Sequence, residues 1–300
     1  MWSESSGWYG LPGFQIGNNC LFLVPSFYRH PHAIPFNMHS ELHLVDAFTG
    51  TPFRGNTAAV CILKEPADPA WMKQVATEMK QSETAFLLPV ASGWNLRWFT
   101  PLQEVDLCGH GTLAAAFVLW ENGTVKPGLP ISFETLSGTL TAQKDGEWIT
   151  LDFPAEPVTA AGPVSGLKEA LGIDPVFTGR NRFDILAELP SADDVCTLDP
   201  DMGALAALHT RGVIVTAVSD LPQYDFVSRF FAPSLGVAED PVTGSAHCCL
   251  GPYWGEKLKK TGLVGFQCSA RGGLVHVTLN GDRVILGGHA VHIFSGKFLV

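Results

Sequence analysis

The sequence predicts an α+β protein made of two similar halves that face each other across a cleft. Three observations carry that expectation. Strand-like runs outnumber helical ones and lack the regular strand–helix alternation of a parallel α/β chain. The block "RWFTPLQEV" at Arg97–Val105 returns as "RFFAPSLGV" at Arg229–Val237, with Arg, Phe, Pro and Val in register and no gap. Each block also ends a strand-like run and opens an apolar helix, so the repeat has a structural context.

Taken in order, "ELHLVDAF" from Glu41 alternates as a strand, and "TGTPFRGN" is a turn-rich loop. "TAAVCIL" reads as a short buried helix. "DPAWMKQVATEMKQ" has an Asp cap, Pro at the first helical position and near-helical apolar spacing. "ETAFLLPV" and "NLRWFT" are strands, and "TLAAAFVLWENG" is a helix closing at a glycine. "ISFETLSGTLTAQKDGEWITLDFP" is a three-stranded meander and "GLKEALG" a short helix. "GVIVTAVS" and "YDFVSRFF" are strands, and "SAHCCLGPYWGEKL" is a helix. "LVHVTLN", "RVILGG" and "AVHIFSGKFLV" end the chain as strands.

Composition narrows the function classes. With 46% hydrophobic and only 16% charged residues, the 300-residue chain buries a sizeable core in one or two domains. A formal charge of −10 argues against nucleic acid or an anionic membrane as partner, since both need a basic face. No apolar run approaches the ~20 residues needed to span a bilayer. Seven irregularly spaced cysteines point to free thiols in a reducing, cytoplasmic setting. Residues 1–37 are rich in aromatics, Gly and Pro without a period, and fit neither a signal nor a transit peptide. They are expected to be an irregular extension. The expected domains are 38–127 plus 289–300, and 128–288. A duplicated pair would bring two helix N-termini, with free N–H groups and partial positive charge, to one cleft suited to a carboxylate.

"DAFTGTPFRGNTAAVCIL", "QSETAFLLP", "RWFTPLQEVDLCGHGTLAAAFVL", "FFAPSLGVAEDPVTGSAH" and "FQCSARGG" together resemble the phenazine-biosynthesis PhzF-like family, from about Leu42 to the C-terminus. The resemblance implies the diaminopimelate-epimerase-like fold, with two barrel-like mixed sheets, each around a central helix, and a site in the interdomain cleft. It also implies a cofactor-independent isomerase, often a homodimer, in which a Glu moves a proton between carbons of a small carboxylated, cyclic substrate. Carried over by motif, Glu83, His110 and Asp240 are the catalytic candidates. Asn56, Gly109, Thr243, Gly244 and Ser245 are the binding candidates. No metal or organic cofactor is expected.

The residues support these roles in their own right. A carboxylate at the edge of an apolar strand, such as Glu83, can have a raised pKa and exchange protons near neutrality, although a surface Glu starting a strand is the plainer reading. His110 lies between glycines that allow close backbone approach to a ligand. Thr243 and Ser245 read equally as helix caps and as anion donors, with Asp240 placed to orient His110. Arg97, Arg229 and Arg271 are candidate carboxylate partners, of which Arg271 is favoured and the other two fit structural ion pairs.

Three rival readings remain. Cys108 resembles the first thiol of two-thiol epimerases, but the matching turn, "VTGSA", carries no cysteine, and Cys248 and Cys249 fall later inside a helix. A metal site from Cys108, His110, His247, Cys248 and Cys249 lacks paired ligand spacing. A non-catalytic small-molecule-binding or scaffold relative would not need the intact Glu, His, Asp, Ser set.

Overall fold

The computed structural model describes residues 40–299, so the expected extension at 1–37 lies outside the described residues. The first half opens with antiparallel β1 (Ser40–Ala47) and β2 (Asn56–Ile62). Helix α1 (Pro69–Met79) then crosses to β3 (Thr84–Val90), which pairs parallel to β2. Asp68 caps α1 by accepting from Ala70 N–H, and Pro69 follows at the first helical position. β4 (Gly93–Phe99) runs antiparallel to β3 and carries the short β5 (Glu104–Val105) on its other side. Helix α2 (Gly109–Glu121) crosses to β6 (Ile131–Thr135), parallel to β4. β7 (Gly138–Asp145) and β8 (Trp148–Pro154) complete the meander.

The second half repeats this order. After the short β9 (Thr159–Ala160) and α3 (Leu167–Leu171) come β10 (Phe177–Arg180) and β11 (Asp184–Glu188). Helices α4 (Ala192–Cys196) and α5 (Met202–Ala206) cross to β12 (Gly212–Val218), parallel to β11. β13 (Phe226–Ala232) pairs with β12 and carries the short β14 (Val237–Asp240). Helix α6 (Gly244–Leu258) crosses to β15 (Gly262–Gln267), parallel to β13. β16 (Gly273–Asn280) and β17 (Arg283–Gly288) form the matching meander, and β17 joins the two halves through β8. β18 (Ala290–Phe298) returns to β1.

Each half of the continuous sheet wraps one central helix. α2 is buried on nearly every face because its sequence is apolar all round, and it packs on β1, β2, β3, β7, β8 and β18. α6 packs on β15, β16 and β17. One core of large side chains encloses both helices, and a second lies under α3, α4 and α5. "TAAVCIL", expected to be helical, is strand β2 as far as Ile62 instead. Pairing on both edges of this short apolar run decides its state, and periodicity alone does not separate the two outcomes. The expected boundary at 127/128 falls between α2 and β6.

The recurring Arg and Phe take matching places. Arg97 holds Glu104 through two N–H···O bonds of 2.6 and 2.7 Å and lies over Phe99. Arg229 holds Glu239 at 2.7 and 2.9 Å and lies over Phe231. Both arginines tie the short strand to its neighbour, which is the structural role that suited them in sequence.

Candidate active site

The N-termini of α2 and α6 abut at Gly109 and Gly244. Around this junction lies a cavity of about 710 Å³ lined by Glu83, Cys108, His110, Arg211, Asp240 and Ser245, among others. β3 positions Glu83, which immediately precedes it, and the second residue of α2 is His110. The corresponding second residue of α6 is Ser245.

Glu83 and His110 meet with Oε2 and Nε2 3.3 Å apart. The pair is close but not aligned as a hydrogen bond, so Glu83 Oε2 is buried without a hydrogen-bond partner among the described residues. Burial raises the Glu83 pKa, and the Asp240 charge pushes the same way, to about 8. Contact with the Cys108 thiol and the charge of Arg211 partly oppose the rise. Burial lowers the His110 pKa, with Asp240 opposing, so the imidazole is held neutral.

Asn56 joins the halves. Its Nδ2 donates to Asp240 Oδ1 at 2.7 Å and to the Val242 carbonyl at 2.9 Å, and it lies 3.2 Å from His110 Nδ1. These two acceptors take both amide hydrogens and fix the orientation of Asn56, and the Cys108 sulfur lies 3.6 Å from the same ring nitrogen of His110. Thr243 donates its hydroxyl to Asp240 Oδ2 at 2.6 Å. Gln267 donates to the Asp240 carbonyl at 2.6 Å and accepts from Thr243 N–H at 2.9 Å. The Asp240 turn is thus held on three sides.

The structure brings Glu83, His110, Asp240, Asn56, Gly109, Thr243, Gly244 and Ser245 together. Arg271 does not join them. Its guanidinium holds Asp46 at 2.7 Å and the carbonyls of Gly55 and Arg54 at 2.8 and 3.0 Å, which secures the loop after β1. Two residues escaped the sequence reading. Gln267 lies inside the quoted "FQCSARGG", yet only the fold shows what it holds. Arg211 precedes β12 as Glu83 precedes β3, and that parallel was the available signal.

Cys108 caps α2, its sulfur accepting from Gly111 N–H at 3.3 Å. Burial, and then the Glu83 charge, raise its pKa well above the usual thiol value. Thr243 occupies the matching cap of α6, and Cys248 and Cys249 lie buried within that helix. Glu83, Cys108 and His110 also place three possible ligand atoms within 4.8 Å of one another. Among the described residues three donors converge there, and the sulfur among them already caps α2.

A family model described as phenazine biosynthesis-like protein (PhzC-PhzF) matches residues 45–296. A protein of Halalkalibacterium halodurans named as an uncharacterized isomerase is 52% identical over 264 residues, covering 88% of this chain and 100% of its own length. A crystal structure of a phenazine biosynthesis protein of the PhzF family from Enterococcus faecalis has 40% identity and a TM-score of 0.84, covering 88% of this chain and 100% of that one. A hydroxyproline epimerase from Agrobacterium vitis shares the fold alone, at 13% identity and a TM-score of 0.60, over 87% of this chain and 92% of its own.

Proposed function

The chain belongs to the phenazine biosynthesis-like protein family, with its α+β, diaminopimelate-epimerase-like fold, and we propose that it is a cofactor-independent isomerase. It moves a proton between two carbons of a small carboxylated, cyclic substrate through Glu83. One observation carries this reading. Glu83 Oε2 is buried at a cavity without a hydrogen-bond partner among the described residues, on a carboxyl whose pKa is pushed up to about 8. Such a group populates both protonation states near neutral pH and can take and return a proton.

In the proposed cycle the Glu83 carboxylate takes a proton from one carbon of the substrate. The electron pair left behind delocalises through the adjacent unsaturated system, and the Glu83 carboxyl returns the proton to a second carbon. No atom is gained or lost. The neutral imidazole of His110, held beside Asn56, keeps its Nε2 next to the Glu83 carboxyl. Asp240 holds Asn56 and keeps the Glu83 pKa high. The free N–H groups at the two helix N-termini stabilise the charge that develops on the substrate.

Thr243 in the place of a second thiol, and the high pKa of Cys108, weigh against the two-thiol alternative. The same reading carries a homodimer in a reducing compartment, consistent with the free thiols among the described residues. The test is isotopic. Candidate ring carboxylates are incubated in D2O, and solvent deuterium should enter the isomerised product with wild-type protein. With Glu83→Gln the incorporation should fall by roughly 10²–10⁴-fold. Undiminished incorporation by that variant, or stoichiometric metal whose chelation abolishes turnover, contradicts the proposal.

A further inference from the structure

Glu83 stands immediately before β3 in the first repeat, and Arg211 stands immediately before β12 in the second. Both line the same cavity. The two repeats thus place an acid at one wall and a guanidinium at the other.

The Arg211 side chain is rigidly held. Nε donates to Asp184 Oδ1 at 2.8 Å, and Nη2 donates to Asp184 Oδ2. The Asp184 carboxylate is fully buried. The rings of Phe183 and Phe230 lie 4.8 and 5.7 Å from the Arg211 Cζ. Nη2 also donates to Ser245 Oγ at 3.1 Å. A guanidinium is a planar fork with five N–H groups, and these bonds use three. Both hydrogens of Nη1 are without a partner among the described residues. In a planar fork one of them runs parallel to the Nη2–H that meets Ser245. It therefore points toward the start of α6, where the Ser245 oxygen is already occupied and its own proton is free to be donated.

We infer that Arg211 grips the substrate's carboxylate through Nη1, with the Ser245 hydroxyl as the second donor. The inference rests on the isomerase reading above and deepens it. The two repeats divide the labour, with proton transfer at Glu83 and His110 and anion recognition at Arg211 and Ser245. A local cation is needed because Glu156 and Asp240 also line the cavity. Arg182, the neighbouring cation, pairs with Glu156 at 2.7 Å and is largely exposed, so it is a poorer anchor. Charge coupling follows from the same geometry. Arg211 restrains the rise of the Glu83 pKa, and a carboxylate that neutralises Arg211 lifts that restraint, favouring the protonated carboxyl when the site is filled.

The experiment compares carboxylates with their uncharged amides on the full chain by titration calorimetry, using benzoate against benzamide and cyclohexanecarboxylate against its amide. Wild type should prefer the acids by on the order of 10–100-fold, the range for hydrogen bonds to charged groups. Arg211→Met alone would strand a buried Asp184 charge, so the informative variant is Arg211→Met with Asp184→Asn. That variant, shown to be folded by circular dichroism, should lose the preference. Arg211→Lys keeps the charge but not the fork and should lose most of it. Arg182→Gln should retain it. A folded double variant with wild-type preference, or an Arg182→Gln variant that loses it equally, overturns the inference. No preference in wild type overturns it too and removes the carboxylate from the proposed substrate, while the Glu83 chemistry still stands or falls on the isotope test.

Discussion

Gly109 and Gly244 face each other so closely that a Cβ on Gly109 would lie 3.0 Å from Gly244 Cα, and one on Gly244 3.1 Å from Gly109 Cα. The obstacle in each case is backbone at a helix N-terminus, which cannot rotate away as a side chain would. Gly109→Ala should therefore push the helices apart at a cost of roughly 1–3 kcal/mol, the range for an overpacked core. It should also weaken carboxylate binding, because His110 and Ser245 are the next residues on the two helices. Thermal denaturation and probe binding read the two effects, and a fully stable Gly109→Ala variant with unchanged binding would contradict the close-contact account.

Glu83 gives stability a pH dependence of defined sign. Unfolded, the carboxyl loses its proton near the ordinary 4.5, while folded it keeps it up to about 8. Between these values the folded state binds the extra proton, so the Glu83 contribution to stability declines as pH rises through that window. Glu83→Gln removes the titration and keeps the shape. It should match wild type near pH 4.5 and exceed it by roughly 2–4 kcal/mol at pH 8. Melting curves from pH 5 to 9 should diverge in that direction, and parallel curves would count against a buried Glu83 carboxyl.

Much of this was legible in the sequence. The paired Arg-Phe blocks foretold two matching strand–helix units, because the short strands β5 and β14 and then the helices α2 and α6 follow them in the same order. Strand pairing groups β6, β7 and β8 with β4 and α2. The division we propose between the repeats therefore lies after β8, near residue 155, rather than at 127/128. β10, β11 and β15 give weak signals in isolation, and their neighbours in the sheet complete them. Glu83, His110 and Asp240 stood out through their motifs. The bridge that Asn56 builds between His110 and Asp240 joins residues 54 and 184 positions away. Arg271 misled for the same reason, since Asp46, its partner, lies 225 positions off. Arg211 sits in an ordinary turn, "HTRG", and becomes conspicuous only when the two repeats are laid side by side.

Cys108 should behave as a cap and not as a nucleophile. In the folded chain at pH 7.5, iodoacetamide should modify the exposed Cys196 and leave the buried, protonated Cys108 untouched. Cys108→Ser should retain carboxylate binding and change stability by about 1 kcal/mol or less, since serine also caps helices well. Mass spectrometry of the alkylated peptides decides the first point. Labelling of Cys108 as fast as Cys196 would restore the thiol chemistry.

Deletion of residues 1–37 should leave melting temperature and carboxylate binding unchanged. The Halalkalibacterium halodurans relative aligns over its full length with 88% of this chain, and the family match begins at residue 45. A large fall in melting temperature of the shortened chain would contradict this.

The central claim is that Glu83 is the proton carrier, and its carboxyl can be titrated directly. With ¹³C-labelled glutamate and Glu83→Gln as the assignment control, NMR should show one carboxyl titrating near pH 8 instead of near 4.5. Benzoate bound beside Arg211 should move that midpoint upward, because it removes the positive charge that restrains it. A Glu83 midpoint near 4.5, unmoved by the carboxylate, would contradict the account.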